Sequence, residues 1–356
     1  MRRFLAVLPV VALLTGMQVA APAAACACGA PAPRPGQDVI VDKEHAILSW
    51  DGDEERIELL LDMLTDADDV GLIVPTPSPA TVTAGDRETF IAIEEAIQPK
   101  QVVVDDWWAG DQGDGAAGGA APPVVLDQVQ LGPVQATTLE ASDADGLSSW
   151  LDENGYQIRD EIAAGLDDYV ERGWYFVALK LTSDIPLEGG LDPIRFTFES
   201  DELVYPMALS KAATTTQRVR LYVFQDHRAR IAGLDQPGAT LPGSATVWAG
   251  TVPDGLGDLG AYLTVVDLTF DSPASQIPGD LVVVQAGDDA PLQPVYTVTR
   301  PVTIFGIPFG VAVILGGAAA LLIVVALITL LVRWVRGLRP TPPGHTPTGG
   351  ASSQQG

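Results

Sequence analysis

TIFGIPFGVAVILGGAAALLIVVALITLLV, residues 303–332, holds no charged side chain, and Arg333, Arg336 and Arg339 follow it. Roughly 20 apolar residues cross a bilayer as a helix, and this run is longer than that. It predicts one transmembrane helix over 303–332. Lys and Arg concentrate on the cytoplasmic side of a membrane, so the three arginines predict a C-terminus inside and everything before Thr303 outside.

The other end of the chain agrees with that orientation. Arg2 and Arg3 precede an apolar run from Phe4 to Thr15, and Ala23-Ala24-Ala25 offers small residues for cleavage. This is the pattern of a secretion signal over residues 1–25. The Arg pair also invites a twin-arginine reading, but the rest of that pattern is missing. An uncleaved signal would leave the same topology, because its arginines still stay inside. The expected organisation is a signal over 1–25, an extracytoplasmic domain over 26–300, a span over 303–332 and a tail over 333–356. That tail is rich in Pro, Gly, Ser, Thr and Gln, cannot bury a core, and is expected to be disordered.

All 46 acidic residues lie between Asp38 and Asp289, and 15 of the 20 Lys and Arg lie from Arg34 to Arg300, which leaves the segment 34–300 at −31. Such a surface repels nucleic acid and anionic headgroups, so no nucleic-acid partner is expected. Solubility explains acids spread along a whole chain; binding of cations or basic partners is the functional reading. The two cysteines, Cys26 and Cys28, both sit at the expected cleavage point, so the folded part has no disulfide. Three roles compete for them. Cys26 invites lipidation after cleavage behind Ala25, although Ala23 stands where a lipobox wants Leu. A Cys-x-Cys redox or metal site would want more ligands. The remaining reading gives the pair no role beyond processing.

Between Val39 and Thr299 strands outnumber helices. Val39–Val41, His45–Trp50, Arg56–Leu64, Val70–Val74 and Val102–Val104 read as strands, with Asp51-Gly52-Asp53 as a turn inside a hairpin. Asp86 caps a helix running to about Ile97, with Phe90, Ile93 and Ile97 at helical spacing. Residues 109–123 are rich in Gly and Ala and read as a flexible loop, or as a linker between two lobes, 38–108 and 124–300. Two short helices follow, Gly146–Glu153 and Arg159–Glu171. Asn154-Gly155 and Gly173 supply the left-handed conformation that ends each. The strand Trp174–Leu181 is apolar on both faces, so both faces should be covered. Six further strands follow. The helices come in short blocks rather than alternating with strands, which predicts an α+β fold and not a doubly wound sheet.

Several stretches together resemble the bacterial DUF2330 family. They are Trp150-Leu151 with Asn154-Gly155-Tyr156, Tyr169-Val170 with Gly173-Trp174-Tyr175-Phe176-Val177-Ala178, and Pro193 to Phe198. Val204-Tyr205-Pro206-Met207, Leu221-Tyr222-Val223 before Asp226-His227-Arg228, and the early Val74-Pro75-x-Pro77 add to the likeness. The resemblance covers nearly all of the expected outer domain, in the family's order. It implies an exported, often membrane-anchored bacterial protein, and it supplies no catalytic residues.

Motifs for chemistry are sparse. No G-x-S-x-G elbow, P-loop or G-x-G-x-x-G is present, and the three histidines, His45, His227 and His345, form no pair at ligand spacing. No cofactor is expected. The densest polar cluster is Asp226-His227-Arg228. It reads either as an acid–base or anion-binding group or as a strand-end turn satisfying its own backbone. Trp107-Trp108 reads as an exposed pair that stacks on a sugar or anchors a partner, or as rings capping a core edge. Asp143-x-Asp145-Gly146 with Asp152 is a partial calcium loop whose first ligand would be Ala141; a helix cap explains these acids more simply. Two functions follow as expectations. The first is a membrane-anchored binding or assembly protein of the cell envelope, with an envelope protein or cell-wall partner. The alternative is an extracytoplasmic hydrolase acting through paired carboxylates.

Overall fold

The computed structural model describes residues 29–108, 135–140, 144–184, 187, 189–234 and 245–337. Residues 1–28, with the expected signal over 1–25 and Cys26 and Cys28, the Gly/Ala-rich stretch 109–123, Asp143 and the tail from 338 lie outside the described residues. The chain forms two compact units, one of residues 1–100 and 121–294 and the other of 101–120 and 295–356.

The first unit is built of layers. Its large sheet runs in the order β14 (Ala245–Thr251), β15 (Tyr262–Phe270), β12 (Gln217–Gln225), β2 (Ile40–Trp50), β3 (Glu54–Leu64), β10 (Ile194–Glu199) and β5 (Thr81–Ala84), with β9 (Gly189–Gly190) beside β3. A second sheet has the order β1 (Ala30–Pro33), β4 (Asp69–Thr76), β8 (Tyr175–Thr182) and β7 (Gln135–Glu140). A third has the order β11 (Leu203–Tyr205), β16 (Leu281–Gln285) and β13 (Ala229–Ile231). β4 pairs with β8, and β3 with β10, so segments on both sides of the Gly/Ala-rich stretch share the same sheets.

Alternation along each strand assigns its two faces. Ile57, Leu59, Leu61 and Met63 of β3 meet Val70, Leu72 and Val74 of β4 and Val177, Leu179 and Leu181 of β8 in the central core. The other face of the second sheet, with Ile73, Phe176 and Ala178, is covered by α2 (Ala144–Asn154) and α3 (Asp160–Glu171) through Leu147, Leu151, Ile162, Leu166 and Tyr169. β8 is therefore covered on both faces, as its two apolar faces predict. The far side of the large sheet, with Ile47, Leu60, Tyr222 and Phe224, is covered by α1 (Arg87–Ala96) through Phe90, Ile93 and the following Ile97. Asp86 caps α1, its carboxylate accepting from Glu88 N at 3.1 Å. α4 (Pro273–Gln276) is a single turn.

The second unit is small. β6 (Lys100–Asp106) pairs with β17 (Val295–Pro301), and a short hairpin of β18 (Thr303–Ile304) and β19 (Ile307–Pro308) turns at Phe305 and Gly306. The chain then enters α5 (Phe309–Gly337), and within Phe309–Arg336 an 18-residue window has a mean hydropathy of 3.0 and no buried residue. Among the described residues this is the one helix long and apolar enough to cross a membrane.

Candidate functional site

One topological feature gathers the sequence motifs. β2 and β12 are parallel neighbours, with Val223 opposite Leu48 and Phe224 opposite Ser49. Their C-terminal ends therefore point to the same edge of the large sheet. The turn Asp51-Gly52-Asp53 follows β2, and Asp226-His227-Arg228 follows β12. Two segments about 175 residues apart in sequence thus meet at one edge.

Each turn is locally determined. β2 and β3 are joined by the three residues Asp51-Gly52-Asp53, in which Gly52 takes φ +110°, a conformation that favours glycine. The Asp51 carboxylate accepts from Glu54 N at 2.8 Å and Asp53 N at 3.1 Å, and these bonds hold it below the usual carboxylate range. Trp50 is pinned by its indole N–H on Ser200 O at 2.9 Å. After β12, the loop from Gly257 closes over the strand end. A Cβ on Gly260 would fall 3.0 Å from Gln225 N, so only glycine allows this approach.

Two open clefts adjoin at this edge. The larger, about 560 Å³, is lined by Trp50, Asp51, Glu54, Arg56, Asp226, Asp258 and neighbouring backbone. The smaller, about 420 Å³, is lined by Trp50, Asp51, Glu202, Asp226, His227 and the stretch from Val282 to Gln285. Trp50, Asp51, Gln225 and Asp226 belong to both. Carboxylates dominate the lining. Against them stand His227 and Arg56, whose Nε is buried without a hydrogen-bond partner.

Asp226 and His227 of the candidate cluster therefore line the clefts while Arg228 does not, and partners from outside the cluster wire it. The carboxylate that orients His227 is Asp289, which meets Nδ1 at 2.8 Å and also accepts from Arg228 N at 2.8 Å. That hydrogen bond raises the His227 pKa, and it lowers that of Asp289. Arg228 is drawn away to Ala290 O at 3.0 Å and Asp288 at 3.7 Å. Asp226 is left exposed in the cleft. Trp107 and Trp108 belong to the second unit and line neither cleft. Both are exposed, at 49% and 66%, with their rings edge-on to Phe309.

Buried polar groups that no motif announced lie on the large sheet. Glu94 of α1 accepts from the Tyr222 hydroxyl and from Arg220 at 2.9 Å; Arg220 also grips Asp267 with two bonds of 2.6 and 2.8 Å. His45 Nδ1 lies 2.8 Å from the Tyr222 hydroxyl. Since that hydroxyl gives its proton to Glu94, the network assigns the His45 proton to Nδ1. Burial lowers the His45 pKa to about 4, against the opposing pull of Glu94. On the other face, the Tyr205 hydroxyl donates to Glu44. Glu58 is bound by Arg195 at 2.8 Å and by Asp86 N.

Glu55 is fully buried, and burial raises its pKa well above the ordinary 4.5, with the Val204 N–H opposing. A carboxyl whose folded pKa exceeds its unfolded one stabilises at low pH, and that contribution is lost as pH rises through the folded value. Glu55→Gln keeps an oxygen for Val204 and carries no proton to lose. The variant is expected to gain on the wild type as pH rises above 4.5, read from urea midpoints at pH 4, 6 and 8. An unchanged difference across that range would show that Glu55 is not desolvated.

Among the described residues, no three His, Cys, Asp or Glu side chains converge to hold a metal ion. The sequence pattern defining DUF2330, described as "Uncharacterized protein conserved in bacteria", matches residues 22–284. The chain belongs to this family. The DUF2330 match takes in β1 to β15 and most of β16, and so both turns and nearly all of the lining of both clefts. No curated protein matches this DUF2330 chain. Among solved structures it is similar to the crystal structure of baculovirus P35, at 12% identity and a TM-score of 0.35, over 73% of this chain and 97% of that one.

Proposed function

We propose that this DUF2330 protein is a membrane-anchored recognition protein of the cell envelope. In this reading its outer domain binds a basic segment of an envelope partner in the paired clefts at the ends of β2 and β12. The observation that carries it is the parallel pairing that brings Asp51, Glu54, Asp226 and Asp258 around one open groove. Lys or Arg side chains of a partner would meet these carboxylates. A surface at −31 would steer such a partner inward from a distance. The signal pattern at the N-terminus and the arginines after Val332 support an outward-facing domain and an inner tail.

The buried acids favour binding over hydrolysis. Glu44, Glu58 and Glu94 are each bonded by a tyrosine or an arginine within the protein, and Glu55 lines neither cleft. Paired catalytic carboxylates need to face a substrate across a pocket.

The test uses the full chain in lipid nanodiscs and fluorescent peptides rich in Lys or in Glu. Lys-rich peptides should bind preferentially and weaken with salt. The double variant Asp226→Asn, Asp258→Asn should lose roughly three- to ten-fold in affinity, as expected for two rim charges. Equal binding of both peptides, or an unaffected double variant, would overturn the proposal.

A further inference from the structure

The second unit collects apolar side chains from three stretches of sequence around the start of α5. The β18–β19 turn holds Phe305 at φ +52° and leaves it fully exposed, with Ile304 and Ile307 at 41% on either side. Trp107 and Trp108 follow β6. Their rings meet Phe309, the first residue of α5, edge-on at 5.1 and 6.2 Å. Backbone bonds fix this arrangement, Val302 N to Asp106 O at 3.0 Å and Phe309 N to Val302 O at 2.8 Å. Gly310 completes it, because a Cβ there would press to 3.2 Å from the Trp108 ring.

An exposed apolar patch of this kind marks a surface meant to be covered. The neighbouring residues say by what. The paired strands next to it carry charge, with Arg300 bound to Asp105 at 2.8 Å. Past it, α5 runs uncharged from Phe309 to Val332. Charge, then aromatic rings, then a long uncharged helix is the profile of a membrane–water boundary, where Trp is enriched. Length agrees. At about 1.5 Å per residue that stretch measures roughly 36 Å. The hydrocarbon layer is about 30 Å. The excess leaves the start of α5 at the level of the headgroups.

We propose that Trp107, Trp108, Ile304, Phe305 and Ile307 form a lipid-inserting collar that seats the N-terminal end of α5 in the bilayer interface. The collar's backbone can enter that zone because β18 and β19 satisfy each other's polar groups. The indole N–H groups can face headgroups while the rings face acyl chains. This inference rests on α5 spanning the membrane and is independent of the clefts.

The test places a nitroxide at position 305 of the full chain, as Phe305→Cys with Cys26→Ser and Cys28→Ser, in phosphatidylcholine–phosphatidylglycerol vesicles. A label at Asp201→Cys serves as the exposed reference. Collision with oxygen relative to a nickel chelate reports depth. Position 305 should show a nickel-to-oxygen ratio roughly three-fold or more below the reference, as for an interfacially buried group. Equal ratios would overturn the collar. So would shielding from both reagents, which means coverage by protein, a second copy included. A second readout needs no change at Phe305. Quenching of tryptophan fluorescence by brominated lipid should fall by roughly half in Trp107→Ala, Trp108→Ala, leaving Trp334 as the quenched ring. Unchanged quenching would also overturn it.

Discussion

Phe176→Ala should destabilise the first unit by about 3–5 kcal/mol, the range for removing a buried aromatic side chain. Phe176 is completely buried between the second sheet and α2 and α3, opposite Pro75 on β4 and Leu139 on β7. The void would open in a layer whose neighbours, Tyr169 and Ile73, are held by their own helix and strand and cannot collapse into it. For a domain of this size the melting temperature should drop by roughly 10 °C. That loss approaches the whole stability margin of a typical domain, so reduced accumulation of the variant is also expected. Calorimetry or circular dichroism of the purified chain reads the effect. A melting temperature within a degree or two of the wild type would mean that the Trp174–Phe176 face is a recognition surface and not core.

Acid should weaken the fold through His45. Its ordinary pKa is 6.5, and in the folded protein it lies near 4, because burial disfavours the imidazolium. The groups facing it are Tyr222 and Arg220 of β12, Glu94 of α1, Asp267 of β15 and Lys43 of its own strand; the two carboxylates oppose the shift and the two cations add to it. Below pH 6.5 the unfolded chain takes up a proton that the folded chain refuses. Stability is therefore full above that value and falls as pH drops through the window to about 4. The shift corresponds to about 3 kcal/mol at most. His45→Gln removes the titration and retains a group for the Tyr222 hydroxyl. Its stability deficit relative to the wild type should shrink by about that amount between pH 7 and pH 4. Urea midpoints across the range give the measurement, and a constant deficit would place the His45 charge in solvent.

What was legible in the sequence was local. The two-faced strand at Tyr175–Thr182, the Asp86 cap with Phe90 and Ile93, and the helix stops at Gly155 and Gly173 each express a period of two or 3.6, or a single backbone preference. Those signals reach only a few residues along the chain. The rest depends on partners brought from far away. Nothing in Asp226-His227-Arg228 reveals that Asp289 would take His227, since the two are 62 residues apart. Glu94 is one of 46 acids, and no local signal sets it apart. Its role depends on Arg220 and Tyr222, which stand opposite it only because α1 covers β12. Trp107 and Trp108 read as a platform or a core cap, since a strand pattern cannot show that a helix about 200 residues later would begin against them.

The parallel pairing of β2 with β12 also bears on how the chain is made. The His45–Tyr222 contact closes 177 residues of chain, and β2 lies at the middle of the large sheet. β2 and β3 can form their hairpin early, but one edge of β2 stays bare until β12 emerges. At about 5–20 residues per second of synthesis, that wait is on the order of 10–30 s. Throughout it, the strand from His45 to Leu48 offers open backbone donors and acceptors to any neighbouring chain. A holdase that shields this edge during biogenesis would therefore raise the yield of the protein more than one that shields its helices.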